Sequence, residues 1–152
     1  MITNQACINK GLVEARVVDH IHHRMQATLK AWGVSILSTY VCPHRPDEGC
    51  TCRKPRAGQL IRVGQAYSLR LDQTFYIGDD PRDCVAAYNA KVKSIYVGNQ
   101  QALCSLKPDQ MPWATAGSID QLVEKIDDQF LAWRDDQSKV IEERAHSILT
   151  DG

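Results

Sequence analysis

Apolar positions along this chain recur at two periods. Between Gly11 and Gly33, the residues Val18, Ile21, Met25, Leu29 and Trp32 fall at three- and four-residue steps. That is one stripe of an amphipathic helix, closed by the glycine after it. Residues 34–41 (Val-Ser-Ile-Leu-Ser-Thr-Tyr-Val) are rich in β-branched and aromatic side chains and read as a strand. A short helix is expected over 58–68, with Leu60, Ile61 and Val63 inward. Residues 74–77 form a buried strand stopped by Gly78, residues 84–90 a helix start, and residues 94–97 the next strand, ended by Gly98. Residues 1–3 are the tail of a further strand, which Asn4 and Gln5 turn. The stretch 100–117, with Pro108, Pro112 and Trp113, is a loop with room for one short edge strand. Ser118 is a good N-cap for a helix carrying Ile119, Leu122, Val123 and Ile126. Phe130, Trp133, Val140, Ile141, Ile148 and Leu149 extend that stripe as a long C-terminal helix, across the acidic pairs at 127–128 and 135–136.

Strand and helix alternate at the spacing of βαβ units, so the fold class is α/β, a Rossmann-like parallel sheet with helices on both faces. Ligands of such sheets bind past the carboxyl ends of the strands. Thr3, the segment after residue 41 and Asp79 all stand at such ends.

Composition narrows the partners. A chain of 152 residues fits one domain, here a core over 1–99 with an extension of the same domain over 100–152. The 18 basic and 18 acidic residues balance, which implies no general attraction to nucleic acid or an anionic membrane. No apolar run approaches the ~18 residues of a membrane span. The polar start of the chain does not read as a signal peptide, so the expected location is the cytoplasm and the six cysteines are expected reduced.

Three of those cysteines lie in Cys42-Pro-His44-Arg-Pro-Asp-Glu-Gly-Cys50-Thr-Cys52-Arg53-Lys54-Pro55. Cys42, His44, Cys50 and Cys52 are the ligand set of a closed, structural Cys₃His zinc site. The alternative is two disulfides or free core cysteines. Three thiolates on Zn²⁺ leave about one formal negative charge, and Arg53 and Lys54 follow the last ligand directly. The functional reading is a metal-pinned loop presenting both cations to an anion, and the bland one is a solvated basic pair. Cys7, Cys84 and Cys104 are expected in the core. His20, His22 and His23 share no helix face and are expected in solvent. Asp79 offers a hard carboxylate for Mg²⁺ at a strand end, or else the N-cap of the helix after Pro81.

The zinc-loop residues, together with Thr3-Asn4-Gln5 and Tyr76-Ile77-Gly78-Asp79-Asp80-Pro81-Arg82-Asp83, resemble the zinc-loop branch of the haloacid-dehalogenase-like (HAD-like) phosphatases over residues 1–99. That branch holds the heptose bisphosphate and histidinol-phosphate phosphatases. The resemblance implies a Mg-dependent phosphoric monoester hydrolase acting on a small phosphorylated sugar, or on a phosphorylated amino alcohol. It implies Zn and Mg as cofactors, and substrate contacts from Thr3, Asn4, Gln5, Arg53 and Lys54. Lys54 would neutralise the transferring group and Arg53 would grip the distal part of the substrate. Asp79 would hold Mg, with Asp80 and Asp83 as further ligands or outer contacts. Asp80 departs from the family, whose heptose enzymes tend to carry Lys there.

The family's nucleophile sits in an Asp-x-Asp motif on the first strand, and no Asp-x-Asp occurs in these 152 residues. The expectation is therefore a sheet lacking its first strand, a chain inactive by itself, and a partner segment or chain that supplies the strand. A non-catalytic sugar-phosphate-binding subunit, docking through the C-terminal helix, is the rival reading.

Overall fold

The computed structural model describes residues 1–126, and the expected apolar stripe beyond Ile126 lies outside them. Five short parallel strands and three α-helices follow one another as β1 Ile2–Asn4, α1 Ala15–Ala31, β2 Tyr40–Cys42, α2 Gly58–Ala66, β3 Phe75–Gly78, α3 Pro81–Asn89, β4 Lys93–Val97 and β5 Ala114–Ala116. A further helical run covers 119–126. The α/β class and the parallel pairing match the sequence expectation. The strands form two sheets: β1 with β2, and β3-β4-β5 in that order. Ile2 stands opposite Tyr40 in one sheet, and Phe75 opposite Lys93 and Ile95 opposite Ala114 in the other.

The two-residue period of the strands sorts the core into layers. On one face, Tyr76 packs with Leu60 of α2 and with Ala86, Ala87 and Ala90 of α3, and Ile2 of β1 joins the same cluster. On the opposite face, Phe75, Ile95 and Ala116 meet Leu122 and Ile126. Helices thus cover both faces of the three-stranded sheet. Ser118 caps the 119–126 run as expected, its Oγ accepting from the Gln121 amide at 3.3 Å. Beside it a mainly apolar pocket of about 190 Å³ is lined among others by Phe75, Ile77, Trp113 and Leu122, with Lys125 at its wall donating to the Thr115 carbonyl at 2.8 Å.

Several expectations need correction. The strand expected over 34–41 is reduced to Tyr40–Cys42. Its β-branched residues have the propensity, but β1 offers only three residues to pair with, and propensity without a partner does not make a strand. On α1 only Val18 is buried; Ile21 is 57% and Trp32 74% exposed, because a two-stranded sheet offers a helix little surface to cover. On α2 Ile61 is 42% exposed, and Gln59 and Gly64 share the buried face with Leu60. Of the cysteines expected inside, Cys84 is buried, Cys7 half-buried and Cys104 exposed. His20 and His23 are exposed, and His22 is half-buried.

Candidate active site

The loop after β2 folds its four expected ligands onto one point. Cys42 Sγ lies 3.6 Å from His44 Nδ1, 3.8 Å from Cys50 Sγ and 3.3 Å from Cys52 Sγ, and Cys52 Sγ lies 3.3 Å from His44 Nδ1. Zinc–sulfur bonds of about 2.3 Å in a regular tetrahedron require sulfur–sulfur edges of about 3.8 Å. The Cys42–Cys50 separation equals that edge, and the Cys42–Cys52 separation is shorter by about half an ångström. All four donor atoms lie within 4.8 Å of one another, so the donor set suits zinc in kind and the cluster has the size of one metal site. Cys42 is fully buried. Burial, and then the neighbouring Cys52, push its thiol up to about 12 in the absence of a cation. Three thiolates at this spacing need a metal to hold them together.

The end of β1 is clasped to the same loop. Asn4 Oδ1 accepts from the Lys54 amide at 3.1 Å, and Asn4 Nδ2 donates to the Lys54 carbonyl at 3.2 Å. One side chain thus serves both polar groups of Lys54 as a neighbouring strand would. The Gln5 amide donates to the Cys42 carbonyl at 2.7 Å, and Gln5 Nε2 donates to Thr3 Oγ1 at 3.1 Å. Thr3, Asn4 and Gln5 therefore stand together beside the zinc loop.

Lys54 then reaches to the second sheet. Its Nζ lies 2.5 Å from Asp83 Oδ1 and donates to the Tyr76 hydroxyl at 3.1 Å, while that hydroxyl donates to Asp83 Oδ1 at 3.3 Å. The Lys54 and Asp83 side chains are only 14% and 3% exposed. Burial works against the ammonium, yet Asp83 and Tyr76 outweigh it and hold the Lys54 pKa above its usual value. Tyr76 is the member sequence reasoning passed over; its signal was a polar aromatic two residues before Gly78 on an otherwise apolar strand.

Asp80 and Asp83 close the N-terminus of α3 as a capping box: Asp80 Oδ1 accepts from the Arg82 amide at 2.8 Å, and Asp83 Oδ2 accepts from the Asp80 amide at 3.2 Å. The N-cap is Asp80, not Asp79, because Pro81 occupies the first helical position. Asp80 also takes Arg82 Nε at 2.8 Å and Nη2 at 2.6 Å, and this guanidinium, above all, lowers its carboxyl to about 2. Both Asp80 oxygens are thereby committed within the protein. Asp79 is exposed, and its carboxylate has no hydrogen-bond or ionic partner among the described residues. Of Asp79, Asp80 and Asp83 it is the one whose carboxylate is left available to a hard cation.

A Cβ on Gly78 would run into the Asp83 side chain. Gly78→Ala should therefore push Asp83 away from Lys54 and destabilise the fold by about 1–3 kcal/mol, the usual cost of overpacking. Urea unfolding checks this, and an unchanged midpoint would mean that Asp83 yields freely.

Residues 51–116 match the HAD-hydrolase-like family model. The D-glycero-β-D-manno-heptose-1,7-bisphosphate 7-phosphatase of Helicobacter pylori is 36% identical over 95 residues, covering 62% of this chain and 55% of that protein. The enzyme of the same name from Pseudomonas putida is 33% identical over 95 residues, covering 62% and 54%. The chain thus spans just over half the length of these curated relatives. A crystal structure of D,D-heptose 1,7-bisphosphate phosphatase from B. bronchiseptica, complexed with magnesium and phosphate, superposes with a TM-score of 0.74 at 27% identity, covering 84% of this chain and 73% of that one.

Proposed function

We propose that this chain, HAD-like in its fold and over residues 51–116, forms the zinc-loop part of a phosphoric monoester hydrolase acting on a small sugar phosphate of the heptose 1,7-bisphosphate kind. The observation that carries the reading is the convergence on Lys54. Asn4 of β1 clasps the backbone of Lys54 in the zinc loop, while Tyr76 of β3 and Asp83 of the α3 capping box hold its buried ammonium. The names of the relatives favour the heptose substrate over histidinol phosphate.

In this reading zinc is structural, because all four of its positions are filled by protein. Asp79 would contribute one carboxylate to Mg²⁺, which when bound draws charge from phosphoryl oxygens. Thr3 offers a hydroxyl and an amide to the phosphoryl group. Lys54, held in one place by Asp83 and Tyr76, offers a fixed positive charge there without reorganising. Arg53 reaches the rest of the substrate, and a planar guanidinium suits a two-point grip on an anion. The thiol ligands call for a reducing compartment, which fits the cytoplasm. No helix among the described residues is long and apolar enough to cross a membrane.

The 152 residues contain no Asp-x-Asp. Incubated alone with Mg²⁺ and D-glycero-β-D-manno-heptose 1,7-bisphosphate, the polypeptide should therefore release phosphate at least about 10³-fold more slowly than when a segment carrying an Asp-x-Asp strand is added, since nucleophile and supports act as a unit. Asp79→Asn should abolish the restored activity. If the added segment binds and the metal is present, yet no phosphate is released, the hydrolase reading fails and a sugar-phosphate-binding subunit takes its place.

A further inference from the structure

The face of β3-β4-β5 opposite Tyr76 meets the 119–126 run through Leu122 and Ile126. Between that run and the sheet lies the pocket of about 190 Å³, whose walls include Phe75, Ile77, Ile95, Trp113, Leu122 and Ile126. Ile77 is 45% and Trp113 41% exposed, so among the described residues the apolar rim is only partly covered. The space suits one aromatic ring: a cavity of about 150 Å³ lined by Leu, Ile and Phe takes up benzene. The Phe75 and Trp113 rings stand 5.0 Å apart at an angle of 49°, a tilted arrangement to which a further ring adds favourably. Two cations stand beside it. Lys125 lines the pocket and donates to the Thr115 carbonyl at 2.8 Å, and Lys93 Nζ lies 5.5 Å from the centre of the Trp113 ring. The complement of this surface is an aromatic group with acids next to it.

The chain continues from the pocket wall with that composition. Ile126 lines the pocket and is the last described residue, and residues 127–152 follow it. They open on Asp127-Asp128, and Phe130 and Trp133 come four and seven residues after Ile126, with Asp135-Asp136 beyond them. Leu122, Ile126, Phe130 and Trp133 thus fall in one row at four-, four- and three-residue steps. A segment tethered at the wall itself competes at an effective concentration on the order of millimolar, which favours it over a partner arriving from solution.

We propose that this pocket is the docking site of the chain's own C-terminal segment, with Phe130 and Trp133 as its apolar anchors and Asp127 and Asp128 beside Lys93 and Lys125. Docking there braces β3, whose other face carries Tyr76 and whose end leads to Asp79. NMR of the full zinc-loaded chain, with labelled Ile and Leu methyls, tests this directly. The Phe130 and Trp133 rings should show nuclear Overhauser contacts to the methyls of Ile77, Ile95 and Leu122. In a mixture of labelled and unlabelled chains these contacts should stay within one chain; contacts that cross between chains would overturn the proposal in favour of a second copy. Phe130→Ala should raise the unfolding equilibrium constant at least about tenfold, and by less where Ile77→Ala has already opened the pocket. Strictly additive losses, or rings that make no contact with the pocket, would discard the docking. Indole probes whether the pocket is vacant, and the unsubstituted chain should not bind it. Saturable indole binding there, lost in Ile95→Trp, would show a pocket open to small aromatic molecules and remove the segment from it.

Discussion

Stripping zinc from the Cys42–His44–Cys50–Cys52 group should unfold the loop over 42–56 and uncouple β1 from it, with a loss of stability of many kcal/mol. Structural zinc in small domains contributes about 10–16 kcal/mol of apparent binding energy at neutral pH, and where no site exists in the unfolded chain that energy is folding energy. Here the loop contains a single short helical turn, Pro46–Glu48, and the metal ligands account for its one fully buried side chain. Cys50→Ser should bind less than a tenth of the zinc and show the same loss. The pH dependence has a definite sign. Without metal, burial holds the Cys42 thiol protonated, so zinc must displace protons to bind, and its affinity rises with pH and falls on acidification. Metal analysis, thiol titration and urea unfolding, each with and without chelator, check this together. A chelated protein with unchanged midpoint and unreactive thiols would remove zinc from the account.

Asp83→Ala should cost about 3–5 kcal/mol, the range for removing one partner of a buried ion pair. The variant leaves the Lys54 ammonium buried with only the Tyr76 hydroxyl to face, and removes half of the α3 capping box as well. Asp83→Asn, which keeps the shape and an acceptor, should cost less. The two stability–pH profiles should slope in opposite directions. In the unsubstituted protein Lys54 has a raised pKa, so its contribution is complete below the ordinary lysine value of about 10.4 and is lost as pH climbs through the higher folded value. In the asparagine variant burial is no longer opposed by Asp83. The Lys54 pKa then falls, and stability is lost as pH drops towards neutrality. Parallel profiles for the two proteins would show that Asp83 does not set the charge of Lys54.

The sequence carried the zinc loop in full, because four ligands lie within eleven residues and the spacing alone brings them together. The strand ends were legible for a similar reason: Gly78 and Gly98 stop apolar runs where the backbone turns. The partnership of Lys54 was not legible. Asp83 lies twenty-nine residues away on another element, and nothing local marks a lysine as buried. Asp80 read as a lost substrate contact, a lysine position filled by an acid. The structure shows that the acid turns Arg82 back along the helix start, so a cation is present after all, two residues on. Arg56 and Arg82 drew no reading from the sequence, because nothing local separates an arginine that lines a pocket from one in solvent. The extent of β2 was overestimated because residues 34–39 have strand propensity but no strand beside them.

The Asn4 clasp has a consequence for how the chain reaches this state. It joins residues fifty apart, and closing a loop of that length costs about 3.5 kcal/mol of chain entropy before any constant term. Its two hydrogen bonds return about 1 kcal/mol each, too little to close the loop unaided. The unit β3-α3-β4, by contrast, pairs Phe75 with Lys93 across a short helical crossover, and its contacts are local. Low contact order favours its early formation, while β1 waits for a loop that zinc has already drawn together. A bound metal would thus act on a strand it never touches: by fixing the loop from Cys42 to Lys54, it would leave β1 to dock on a finished surface through its pairing with β2 and the Asn4 clasp together.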